Sequence, residues 1–309
     1  MNRRQFLHAS AVSGLSLAGA LAAEPPLTII DTHTHFYDPT RAEGVPWPQK
    51  SDALLYRKVM PQDYLALKTP QPVTGTVVVE ASAWVEDNQW ILDLAAKNPF
   101  ITGFVGNLKP GEDGFGANLK RFAANRLYRG IRVNGNVIKA KVGDAAFLAD
   151  LKQLAALDLE LDINGPAATL PAIAQLAQAI PDLRIVINHL SNTRIDGKNV
   201  EDAWRRDMQA AAKHQNVNAK VSGLVEGTGR KDGSAPKDAA FYAPWLDVMW
   251  EAFGEDRLIY GSNWPVSERF APLATVQGIV TDYFTAKGRS ALEKCFAGNA
   301  ARVYKWVKR

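Results

Sequence analysis

The sequence predicts an α/β fold, a (β/α)8 TIM barrel in a single domain, and three observations lead there. Eight short β-branched runs alternate with longer Ala- and Leu-rich amphipathic stretches, the rhythm of a parallel sheet covered by helices. Residues 23–309, a span of 287 residues, divide among the eight units at about 36 residues each, which is the size of a strand, a loop and a helix. No glycine-rich phosphate loop follows the first run, which disfavours the competing doubly wound open sheet.

Taken in chain order, residues 1–22 read as a separate device. Arg3-Arg4-Gln5-Phe6-Leu7 is followed by a mild apolar stretch from Ala9 to Ala22, and Ala20-Leu21-Ala22 offers the small-x-small pattern of a signal-peptidase site. This is the pattern of a twin-arginine signal, and it predicts a folded protein handed to the twin-arginine export machinery and released to the periplasm or beyond. The apolar run is too short and too weak to predict a stable membrane span. The strands are expected at Thr28–Thr32, Thr76–Ala81, Phe100–Gly106, Tyr128–Val133, Leu159–Ile163, Arg184–Asn188, Val217–Val221 and Leu258–Gly261. Helices are expected around Asn88–Lys97, Gly116–Asn125, Ala145–Leu157, Ala168–Ala179, Val200–His214, Ala240–Phe253 and Ala271–Lys287, with a terminal helix from Arg289. Asn98-Pro99, Gly165-Pro166 and Ile180-Pro181 punctuate the joints, as residues that break regular structure should.

Composition narrows the function. Lys plus Arg exceed Asp plus Glu by only 4, and by 2 once Arg3 and Arg4 are removed, so no nucleic acid is expected as a partner. The single cysteine, Cys295, makes neither a disulfide with itself nor a thiolate metal cluster, so the fold must be held by its core. A small-molecule substrate is the remaining expectation.

In such a barrel, chemistry sits at the C-terminal ends of the strands. Strand one ends in Asp31-Thr32-His33-Thr34-His35 and strand two in Glu80; strand four ends in Arg132 and strand five in Asp162 and Asn164. Strand six ends in Asn188-His189, strand seven passes through Lys220 and Ser222, and strand eight ends in Ser262-Asn263-Trp264-Pro265. His33 and His35 fall on one side of an extended strand because side chains alternate with period two. Joined by His189 they form a candidate site, since imidazoles aimed at one point hold a metal or polarise a carbonyl. His214, late in a polar helix, is read as surface.

These residues resemble the amidohydrolase superfamily, in its amidohydrolase-related (amidohydrolase 2) branch, which contains sugar-acid lactonases and a pyrone-dicarboxylate lactonase. The resemblance rests on Ile30-Asp31-Thr32-His33-Thr34-His35, Val77-Val78-Val79-Glu80, Tyr128-Arg129-Gly130-Ile131-Arg132, Ile187-Asn188-His189-Leu190, Asn218-Ala219-Lys220-Val221-Ser222-Gly223-Leu224, Phe253 to Val266 and Gly298-Asn299-Ala300-Ala301. It implies a metal-dependent-hydrolase-like barrel and a hydrolase acting on a cyclic ester, with His33, His35, His189, Asn263 and Glu80 as the catalytic set. One departure stands out. The family usually reads Gly-Ser-Asp-Trp-Pro where this chain has Gly261-Ser262-Asn263-Trp264-Pro265, and an amide cannot take a proton at neutral pH. Glu80 or Glu226 then supplies the base. The alternatives are a lactone isomerase in which Asn263 orients a hydroxyl, a Zn-dependent hydrolase or decarboxylase, and a non-catalytic carbohydrate-binding barrel.

Metal-bearing members usually add a lysine-derived carboxylate on strand four or a histidine on strand five. This chain has Arg132 and Asp162/Asn164 there, so a site without a cofactor is favoured; were zinc bound, His33, His35, Glu80 and His189 would hold it. Arg132 is expected either to fork a substrate carboxylate or to pair with Glu80 or Asp162. Lys220 and Glu226 are expected to bind substrate, with Trp84 and Trp264 (and Trp47) stacking on a sugar ring. The glycine-rich stretch 226–234 has the composition of a lid or of a plain surface loop, and Asp31 is read as structural.

Overall fold

Eight runs rich in residues branched at Cβ, most of them bounded by Gly, Pro or Asn, become eight parallel strands in the computed structural model, which describes residues 25–309. They are β1 (Ile30–Thr34), β2 (Gly75–Val79), β3 (Ile101–Gly106), β4 (Tyr128–Asn134), β5 (Glu160–Asn164), β6 (Arg184–Ile187), β7 (Val217–Val221) and β8 (Leu258–Tyr260). Each is hydrogen-bonded to the next in sequence order, from β1 through to β8. A parallel bridge between Thr34 and Trp264 brings the last strand back to the first, with His35 N donating to Trp264 O at 2.9 Å and Thr32 Oγ1 to Tyr260 O at 2.6 Å. The (β/α)8 barrel is therefore nearly closed, and its closure draws the ends of β1 and β8 together. The export segment expected at residues 1–22 lies outside the described residues.

The helices are α1 (Pro61–Leu65), α2 (Asp87–Lys97), α3 (Phe115–Ala123), α4 (Gly135–Lys141), α5 (Ala145–Ala156), α6 (Leu170–Ala179), α7 (Asp202–Ala212), α8 (Leu224–Gly227), α9 (Ala239–Phe253), α10 (Leu273–Ala286), α11 (Arg289–Glu293) and α12 (Asn299–Val303). Side-chain caps start several of them: Asp144 accepts from Phe147 N at the head of α5, and Asp238 from Ala240 N at the head of α9, both at 2.8 Å. The extra helices α1, α4 and α8, of five, seven and four residues, are too short for sequence periodicity to show. β1 runs two residues further than its β-branched start suggests, because the polar Thr-His-Thr segment continues the ladder through a register shift between Asp31 and Thr34. No helix among the described residues is long and apolar enough to cross a membrane.

Two apolar regions hold the barrel. The larger lies between strands and helices, with Trp204, Trp245, Phe104 and Phe147 fully covered. The smaller fills the barrel's lower interior: Val77, Val79, Val105, Val186 and Ile259 pack against Ala300, Val303 and Tyr304 from the C-terminal helix. Cys295 is buried and free within this scaffold. Above the apolar layer the interior turns polar. Tyr304 OH donates to Asp162 Oδ1 at 2.7 Å, so the residue that plugs the barrel also reaches the charged layer under the site.

Candidate active site

The floor of the site is a buried charge network built from inward positions of β5 and β7. Lys220 and Asp162 have no exposed side-chain area, and Lys220 Nζ donates to Asp162 Oδ2 at 2.5 Å. Burial pulls Lys220 below the ordinary lysine range, while Asp162 pulls it back. Paired in this way it is an ammonium, which can only donate, and its next partner is His33 Nδ1 at 3.1 Å. His33 Nδ1 is therefore the acceptor and the ring proton sits on Nε2, a buried donor with no partner. Glu160, one inward position deeper, is fully buried with both oxygens unpartnered, and burial and then Asp162 hold its carboxyl far above the usual range.

Above this floor stand the three histidines. Ring centroids are 4.3 Å apart for His33 and His189 and 5.0 Å for His33 and His35. Burial keeps all three neutral, with Lys220 adding to the effect on His33 and His189, and Arg132 on His35, which falls to about 3. His33 is positioned from β1, where Asp31 Oδ1 accepts from His33 N and from Ser262 N, and Asp31 Oδ2 from Tyr64 OH. Gly261 makes room for it, since a Cβ there would come within 2.9 Å of His33 Cβ. His189 heads a run of left-handed backbone through Leu190, Ser191 and Asn192, with φ between 48° and 55°, a conformation that side chains with a Cβ rarely hold. The run is pinned by Trp204 Nε1 donating to Leu190 O, Ser191 Oγ to Gly165 O and Asn192 Nδ2 to Asn164 Oδ1. Ser222 Oγ accepts from His189 N and lies 2.8 Å from its Nδ1.

His35 and His189 line a cleft of about 550 Å³ at the C-terminal mouth of the barrel, with Trp47, Glu80, Asn107, Arg132, Asn164, Asn192, Glu226, Asn263 and Phe270. His35 Nδ1 faces Val79 O at 2.9 Å, and a carbonyl only accepts, so the Nε2 of His35 carries the lone pair. This rules His35 out as a donor to a carbonyl. Asn263, itself at φ 58°, has Nδ2 donating to Glu226 Oε1 at 2.8 Å and Oδ1 facing His35 Nε2 at 3.3 Å. The second contact sets one acceptor against another. Turning the amide over gives Nδ2 to His35 and Oδ1 to Glu226, which then must carry the proton, so each amide setting matches one protonation state of Glu226.

Glu226 comes from α8. Its Oε2 is buried without a partner, and burial lifts its carboxyl to about 7, offset in part by the Asn263 hydrogen bond. Glu80 is differently placed, because Arg132 Nε donates to its Oε1 and Arg132 Nη2 to its backbone O, each at 2.8 Å. That pairing spends Oε1 of Glu80 on the guanidinium, whereas Glu226 Oε2 has no partner.

Three expected substrate contacts are corrected. Lys220 lies beneath His33, outside the cleft wall, because its inward position is one layer below Ser222. Trp264 is buried against Phe36 and Tyr64 with Nε1 donating to Glu268 Oε1, because the left-handed turn at Asn263 carries the next side chain away from the cleft. Trp84 is 40 % exposed and borders a neighbouring recess with Arg41 and Trp90, while Trp47 is the tryptophan at the cleft, 5.9 Å from His35. Asn107 and Asn192 were not singled out by sequence; Asn107 is the polar residue closing strand three and was open to the same strand-end rule. From Thr228 to Ser234 the chain is a largely exposed loop.

A divalent cation needs converging lone pairs. That of His33 is committed to Lys220, the carboxylate of Glu80 to Arg132, and that of His35 faces Asn263. Among the described residues no three His, Cys, Asp or Glu side chains converge on a metal position, and the set does not fit one.

The family model described as amidohydrolase matches residues 30–306. An L-fucono-1,5-lactonase of Burkholderia ambifaria is 30% identical over 285 residues, covering 89% of this chain and 95% of its own. An L-fucono-1,5-lactonase of Burkholderia multivorans is 28% identical over 291 residues, with the same coverage of 89% and 95%. The crystal structure of an amidohydrolase from Burkholderia multivorans with bound zinc superposes with a TM-score of 0.80 at 26% identity, over 90% of this chain and 99% of that one.

Proposed function

Since the chain belongs to the amidohydrolase family and is a hydrolase of that kind, we propose that it opens the ring ester of a sugar-acid lactone in this cleft, with Glu226 as general base. The observation that carries the reading is Glu226 itself: a carboxyl at the cleft, one oxygen free of partners, held at about 7 where it exchanges a proton near neutral pH. The two lactonase relatives support the substrate class.

The chemistry follows from the donors and acceptors. The lactone carbonyl oxygen accepts a hydrogen bond from His189 Nε2, a cleft-lining imidazole, when Ser222 donates to His189 Nδ1. Ionised Glu226 removes a proton from water as the water oxygen bonds to the carbonyl carbon. The resulting oxyanion rests on the His189 donor. When the ring C–O bond breaks, protonated Glu226 returns its proton to the departing alkoxide, leaving an open-chain hydroxy acid. Asn263 turns with that proton, donating to Glu226 when it is charged and accepting from it when it is not.

The same residues favour a route that needs no divalent cation. The test is turnover of a panel of aldono- and aldaro-lactones, before and after dialysis against a chelator: a hydrolysed lactone and an unchanged rate are expected, while a silent panel sinks the reading and a lost rate sinks its metal-free form. We further propose that residues 1–22 export the folded enzyme to the periplasm, where it serves carbohydrate metabolism. Replacing Arg3 and Arg4 by Lys should retain the enzyme in the cytoplasm, as cell fractionation would show.

A further inference from the structure

We propose that Glu80 is a specificity-determining residue: it cancels the one cation an anionic substrate would seek, so the cleft selects lactones that bear no free carboxylate. This rests on the lactone reading above. Among the described residues Arg132 is the only Lys or Arg lining the cleft. Of the two guanidinium edges that can fork a carboxylate, the Nε–Nη2 edge is taken: both atoms lie 2.8 Å from Glu80 Oε1, with Nη2 also donating to Glu80 O, so the charge any carboxylate would meet is already paired. Each partner's side chain is 17% exposed, so the pair is largely shielded from water and from salt.

A substrate carboxylate has two options there, and both are unfavourable. It can displace Glu80, leaving that carboxylate unpaired in the same cleft, or it can lie beside an ion pair that is already neutral while facing Glu226. Lys220 offers no alternative because it is enclosed below His33 and spent on Asp162. What the cleft does present is amide groups. Asn107, Asn164 and Asn192 can each donate to and accept from hydroxyls, the pattern a neutral polyol ring requires. The device is rejection by a missing charge rather than by shape.

Wild-type enzyme should be compared on an aldono-1,5-lactone and the aldaro-1,5-lactone of the same ring configuration. A preference for the uncharged lactone of roughly a hundredfold in kcat/KM is expected. Glu80→Gln should raise the relative kcat/KM of the aldarolactone by about tenfold or more, and the double variant Glu80→Gln, Arg132→Gln should lose that gain, because Arg132 is what the carboxylate meets. A measurement that needs no variant is inhibition of wild type by the two corresponding δ-lactams, which are not hydrolysed; tighter binding of the uncharged one is expected. Equal turnover of the two lactones, equal inhibition by the two lactams, or an unmoved ratio in folded Glu80→Gln each overturn the proposal. If neither lactone turns over but the uncharged lactam binds in preference, the catalytic reading falls and the selectivity stands. If neither lactam binds, both fall.

Discussion

Removing the carboxyl of Glu226 is the sharpest test of the chemistry. With that group held at about 7, the ionised fraction is about one in eleven at pH 6 and about one in a hundred at pH 5, so kcat/KM should climb about tenfold per pH unit below 7 and level off above it. The midpoint belongs to the free enzyme. Glu226→Gln keeps size and one hydrogen bond to Asn263 but accepts no proton, and the loss should fall in the range of about 10²–10⁴ that general-base catalysis supplies, with the residual rate flat from pH 5 to 8. Initial rates by stopped flow with a pH indicator, corrected for spontaneous lactone opening, read both effects. Stability supplies an independent check. A carboxyl raised in the folded state stabilises it fully below about 4.5 and loses that contribution as pH rises through about 7. Glu226→Gln should therefore be the more stable protein at pH 8 by about 2 kcal/mol, a figure already reduced for water in the cleft, with no such gain at pH 4. A wild-type midpoint near 4.5, or a Gln variant within tenfold of wild type, would refute the assignment.

Asn263→Asp places a second carboxyl 2.8 Å from Glu226, where the two cannot both ionise; the midpoint of the pH profile should move upward by about a unit or more, and an unmoved profile would break the proposed coupling. Lys220→Met leaves Asp162 charged and unpaired in the barrel, so denaturant titration should report a loss of about 3–5 kcal/mol at neutral pH, and a loss below about 1 kcal/mol would mean the ammonium is not what holds that layer.

The barrel was legible because its signal is repeated: eight short β-branched runs buried on both faces, eight stretches with period 3.6, and breakers at the joints. Only short helices escaped. The three histidines were legible too, since a strand-end rule needs nothing but strand positions. Direction and depth were not. Lys220 and Ser222 share a face of β7, yet one lies a layer below the other, and Trp264 is turned from the cleft by the left-handed backbone of Asn263. The weight of Glu226 over Glu80 was hidden as well, because it depends on which carboxylate Arg132 captures across an intervening strand. No sequence pattern reveals which ring nitrogen of His35 keeps its proton; Val79 O decides that.

Tyr304 has a consequence for the order in which the protein comes into being. Its hydroxyl is one of the groups that settle Asp162 beneath Lys220 and His33, and its ring lies 5.1 Å from the Lys220 ammonium. Until residue 304 has left the ribosome, the nascent chain holds a lysine and two acids with no lid beneath them. The active centre is thus among the last things synthesis delivers. The layer beneath His33 is therefore finished only when residue 304 takes its place under it.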